Sequence, residues 1–72
     1  MSKRKQYPEP VRTRSGGKVG WHYYTDRAQA EACSAAALHN ARIQMQAGYD
    51  FGYCSPGGIT ETSDGLFEVC IP

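Results

Sequence analysis

The stretch Asp26-Arg27-Ala28-Gln29-Ala30-Glu31-Ala32-Cys33-Ser34-Ala35-Ala36-Ala37-Leu38-His39-Asn40-Ala41-Arg42-Ile43-Gln44-Met45-Gln46-Ala47-Gly48 decides how this chain folds. It holds eight alanines and no Gly or Pro before its last residue. Alanine loses no side-chain freedom on entering a helix, so the run predicts one helix over residues 26–47, ~30 Å long. Thr25 or Asp26 supplies the N-cap, and Gln29 stands where a capping box needs it. Gly48 sits where a left-handed residue ends a helix. At about 100° per residue, Ala30, Cys33, Ser34, Ala37, Leu38, Ala41 and Met45 fall on one stripe. Ala28, Ala32, Ala35, Ala36 and Ile43 form a weaker second stripe. One stripe is enough to lie on a sheet. The second predicts a contact outside the monomer, and with it a homo-oligomer.

Strand patterns flank the helix. Residues 18–24 place Val19, Trp21 and Tyr23 on one face and Gly20, His22 and Tyr24 on the other. Residues 11–14 alternate weakly, and Ser15-Gly16-Gly17 is a turn signal, so 11–24 reads as a hairpin. After the helix, residues 59–62, Ser63-Asp64-Gly65 and residues 66–71 read as a second hairpin, with Phe67, Val69 and Ile71 sharing a face. The order is (β)β-α-β-β. It predicts an α+β fold: an antiparallel sheet of three or four strands with the long Ala-rich helix on one face. Pairing strand 18–24 with 66–71 leaves 59–62 at an edge. Residues 1–10, basic and carrying Pro8 and Pro10, are expected to form a flexible arm on a single domain spanning 11–72.

Length and charge narrow the function. A chain of 72 residues buries only ~60% of its unfolded surface, so its core is small. The net charge of +1 hides an asymmetry. Lys3, Arg4, Lys5, Arg12, Arg14 and Lys18 face Glu9 alone in the first twenty residues, whereas Arg27 and Arg42 face six acids in the rest. No apolar run approaches the ~20 residues of a membrane span, and cytoplasmic residence in a bacterial host is expected. The odd set Cys33, Cys54 and Cys70 reads as reduced thiols. No cysteine or histidine pair has structural-zinc spacing, and neither Cys54 with His22 nor Glu61 with Glu68 forms a recognisable catalytic pattern. No phosphate loop is present. The chain is therefore expected to be non-enzymatic, without metal or cofactor.

Three binding readings follow. Protein binding leads, because the aromatics outnumber the places a small core offers them. Its candidate residues are Tyr49, Asp50, Phe51 and Tyr53 in the loop at 48–58, with His22 and Tyr24 on the strand before the helix. Nucleic-acid binding would use Arg12, Arg14 and Lys18 on the first hairpin, with the arm on phosphates. Sequestration of a small nucleotide-like ligand would use the same aromatic and glycine-rich loop.

In general aspect the chain resembles short accessory proteins of bacteriophages and mobile elements, of the anti-CRISPR and anti-defence type. The features that carry this are the basic Met-Ser-Lys-Arg-Lys start, one Ala-rich helix after Thr25-Asp26-Arg27, the Gly-Tyr-Asp-Phe-Gly-Tyr segment and the Val-Cys-Ile-Pro end. The resemblance implies a non-catalytic inhibitor that occupies a host protein or complex. It assigns no residue a role.

Overall fold

The computed structural model describes residues 4–52 and 55–72. Five elements follow in order: β1 (Arg12–Gly16), β2 (Val19–Tyr24), α1 (Arg27–Gln46), β3 (Ile59–Glu61) and β4 (Phe67–Ile71). The strands make one antiparallel sheet in the order β1-β2-β4-β3. This is the predicted α+β arrangement, with β2 against β4, β3 at one edge and β1 a strand of five residues at the other.

The caps of α1 explain its limits. Asp26 keeps an extended backbone, and its carboxylate accepts the Ala28 N–H at 2.9 Å. At the far end Gly48 turns to φ 91° and donates its N–H to the Met45 carbonyl at 3.0 Å. A side chain would strain that conformation.

The helix presents Ala30, Cys33, Ala36, Ala37, Asn40 and Ala41 inward. Leu38 and Met45, expected on the buried stripe, remain 47% and 62% exposed. The buried face is thus rotated toward its smallest residues. Alanines let a helix backbone approach a sheet closely, whereas Leu38 and Met45 would hold it away. Tyr24, Ala30, Cys33 and Val69 form the main buried cluster, with Tyr7, Ile59, Phe67 and Ile71 packed against it. A second cluster joins Val19, Ala41, Phe51 and Cys70, with Trp21 beside it.

Register decides which side chains meet the helix. Tyr24 pairs with Phe67 and His22 with Val69, so this set shares the face toward α1. Trp21 pairs with Cys70 and Tyr23 with Glu68, which places them on the opposite face with Arg12, Arg14 and Thr60. The period-two pattern separated these sets correctly but carried no sign of which one lies under the helix.

The segment before β1 shares the helix side. Asn40, 2% exposed, accepts the Lys5 N–H at 2.7 Å and donates to the Lys5 carbonyl at 2.9 Å. The same amide nitrogen donates to the Tyr7 hydroxyl at 2.9 Å. The Tyr24 hydroxyl donates to the Pro8 carbonyl at 2.8 Å, and the Tyr7 ring meets His22 edge-on at 5.3 Å.

Past α1, Gly57 is the tightest backbone position. Its N–H donates to the Cys70 carbonyl at 2.7 Å, its carbonyl accepts from the Ser34 hydroxyl at 2.5 Å, and its φ is 95°. A Cβ there would lie 2.7 Å from Leu38 Cγ. Gly57→Ala is expected to cost about 2 kcal/mol, from backbone strain and displacement of Leu38. A fall in the urea midpoint at unchanged m-value checks this.

Candidate functional site

The face of the sheet turned away from α1 carries the most distinctive arrangement. Arg12 lies with its guanidinium carbon 4.4 Å from the centre of the Tyr23 ring. Two residues on, Arg14 sits 4.2 Å from the Trp21 ring. Each Arg lies directly across from its ring in the β1–β2 register, so the pairs stack side by side. Gly16 leaves space for the indole, since a Cβ there would come within 3.1 Å of Trp21 Cζ3.

Carboxylates flank both cations. Asp64 Oδ2 lies 3.7 Å from Arg12 and Glu68 Oε2 lies 3.6 Å from Arg14. Both separations exceed hydrogen-bond length, and both guanidiniums are more than half exposed. The pairs orient charge more than they stabilise the fold. The Tyr23 hydroxyl donates to Glu68 Oε2 at 2.5 Å, and that bond, with burial, raises the Tyr23 pKa. Beside them a cleft of ≈ 200 Å³ is lined by Trp21, Ser55, Gly58, Thr60, Glu68 and Cys70. A neighbouring cleft of ≈ 260 Å³, lined in part by Met45, Tyr49, Asp50 and Phe51, adjoins it at Ser55.

The residues expected to bind a partner divide. Tyr49 is 42% exposed, and its ring leans on Phe51 at 4.7 Å. Asp50 is exposed and folds back on the Gly52 N–H at 2.8 Å. Phe51 is 7% exposed and belongs to the second buried cluster, so it enlarges the core while its edge lines the cleft. Tyr53 lies outside the described residues, as does Cys54.

Tyr24 and His22 correct the expectation of surface aromatics on β2. Tyr24 is fully buried, and His22 is half-buried beneath Tyr7. Both sit on the helix side, where the N-terminal segment covers them. Arg12, Arg14 and Lys18 are exposed as expected, but only the two arginines are stacked on rings. Sequence reasoning missed Tyr23, Thr60 and Glu68 as companions of these arginines. The signal was the pairing of alternate arginines with alternate aromatics across the first hairpin.

His22 gives a pH handle. Burial lowers its pKa, and its Nδ1 lies 3.1 Å from the Tyr24 hydroxyl. A depressed histidine favours the folded state above its ordinary pKa of about 6.5 and loses that contribution as pH falls below it. The urea midpoint is expected to drop between pH 7.5 and 5. His22→Gln should flatten that dependence.

Among the described residues no group of three His, Cys, Asp or Glu side chains converges as a metal site would, and no helix is long and apolar enough to cross a membrane. No protein-family model, curated protein or solved structure matches the chain.

Proposed function

We propose that this chain is a non-enzymatic interaction protein that docks another protein on the helix-free face of its sheet. The observation that carries this reading is the pair of Arg-on-aromatic stacks beside the Trp21–Thr60 cleft. Trp, Tyr and Arg dominate interface hot spots, because they combine large contact area with directional donors. Stacking holds the guanidiniums in place beforehand, so less side-chain freedom is lost on binding. An inhibitor of the phage accessory type, acting by occupancy of a host protein in the cytoplasm, fits this mode, since occupancy needs a contact face and no reacting group.

Nucleic acid is the weaker occupant. Asp64 stands beside Arg12 and Glu68 beside Arg14, so a continuous phosphate backbone crossing this face would meet like charge.

Thr60→Arg tests the face with little risk to the fold, because Thr60 is exposed and lines the cleft. Affinity for a purified partner is expected to fall about 30-fold or more. The melting temperature should stay within a few degrees of wild type. Unchanged affinity would place the interface elsewhere.

A further inference from the structure

We infer that residues 5–8 form a strap over the groove between β2 and α1, and that protonation of His22 beneath it releases the strap while the sheet and helix stay folded. This device lies on the helix side of the sheet and is independent of the face proposed for the partner.

Polar contacts hold the strap at both ends. Asn40 binds both backbone groups of Lys5: its Oδ1 accepts the N–H at 2.7 Å and its Nδ2 donates to the carbonyl at 2.9 Å. At the other end the Pro8 carbonyl accepts from the Tyr24 hydroxyl at 2.8 Å. Between them Tyr7 accepts from Asn40 and packs its ring on the main buried cluster. Beneath lie Asn40 and Tyr24, 2% and 0% exposed. Glu9-Pro10 is the hinge, because the next residue, Val11, is fixed to the sheet by its N–H on the Tyr23 carbonyl at 2.8 Å.

His22 touches both halves of the strap's anchorage. Its ring meets Tyr7 edge-on at 5.3 Å, and its Nδ1 lies 3.1 Å from the Tyr24 hydroxyl. The single Tyr24 hydroxyl proton goes to Pro8, so Nδ1–H donates to the hydroxyl oxygen. Nε2 is then the nitrogen that takes up a proton.

The surroundings do not compensate that charge. Among the described residues, His22 is faced by Tyr7 from the strap, Thr13 across β1, Tyr24 on β2, Val69 across β4 and, behind Tyr24, Cys33 of α1. Burial raises the pKa of Tyr7, Tyr24 and Cys33, so all three stay neutral. Arg12, Arg14 and Glu68 project from the opposite face, and Arg4, Lys5 and Glu9 are exposed. Lifting the strap returns the imidazole to water, where the charge is solvated. Burial lowers the His22 pKa while the strap is closed. Closure is therefore favoured above the ordinary histidine pKa of about 6.5, and opening gains as pH falls below it.

The test is amide exchange on the full chain at pH 7.5 and 5.5, each rate corrected for its intrinsic pH dependence. The Lys5 N–H reports on the strap, and amides at the centre of β2 and β4 report on global unfolding. Lys5 protection is expected to be lower than theirs at both pH values and to fall about threefold to tenfold at pH 5.5. His22→Gln should abolish that fall, whereas His39→Gln, which changes the other histidine, should leave it intact. Tyr24→Phe keeps the ring and removes the bond to Pro8, so Lys5 should exchange about fivefold faster at pH 7.5. Lys5 protection that is independent of pH, or equal to that of the central amides, overturns the inference. So does a pH dependence that survives His22→Gln or vanishes in His39→Gln, and so does unchanged Lys5 exchange in Tyr24→Phe.

Discussion

Tyr24→Ala is expected to leave the chain largely unfolded at 37 °C. Tyr24 is the largest side chain with no exposed surface, and it sits with Ala30, Cys33 and Val69 in the main cluster. Removing a buried aromatic ring costs roughly 3–5 kcal/mol, because the cavity cannot collapse fully. The hydroxyl also donates to the Pro8 carbonyl at 2.8 Å and stands 3.1 Å from His22, so the segment before β1 loses an anchor. A chain of this length has a total stability of about 4–11 kcal/mol, so one truncation removes much of it. Loss of the far-ultraviolet helix signal at 37 °C checks this. Tyr24→Phe keeps the ring and should cost only about 1 kcal/mol.

The second large effect concerns Asn40. Asn40→Ala is expected to destabilise the fold by about 3 kcal/mol and lower the melting temperature by roughly 12–24 °C. Its amide makes three hydrogen bonds, two to the Lys5 backbone and one to the Tyr7 hydroxyl. Without it the Lys5 N–H and C=O lose their partner beside a buried helix face. Alanine itself suits the helix better than asparagine does, which offsets only about half a kcal/mol. The Lys5 amide should lose its exchange protection in the variant, while amides at the centre of β2 and β4 keep theirs until global unfolding. Equal protection at Lys5 in both proteins would show that Asn40 does not hold the segment.

These two residues also mark where the sequence stopped being informative. Alanine content, Asp26 and Gly48 set the helix almost to the residue, because helix propensity and capping are local. The strand order was likewise readable from the Asp64-Gly65 turn and from the apolar β4. The helix face was not. Leu38 and Met45 looked like core by size, yet the close approach of Ala30, Ala36, Ala37 and Ala41 leaves them outside. Asn40 was invisible because a polar residue in an alanine-rich run reads as surface, and its partner lies thirty-five positions away.

The candidate site was legible by composition and not by placement. Arg12 and Arg14 stood out as cations on a hairpin, and an excess of aromatics pointed to binding. Which aromatics face outward depends on which side of β2 the helix covers, a tertiary fact. Once α1 lies over Tyr24 and Val69, alternation leaves Trp21 and Tyr23 under the arginines. The loop at 48–58 was attractive for its three aromatics, but a small core needs Phe51 for itself.

The most direct test of the central claim is site-specific photo-crosslinking in the protein's native host. A photoreactive phenylalanine analogue is placed at Thr60 on the helix-free face or, as a control, at Ala35 on the exposed side of α1. One dominant crosslinked protein is expected from position 60, absent from position 35 and lost when Arg12 and Arg14 are both changed to glutamine. A dominant product from position 35, with none from position 60, would contradict it.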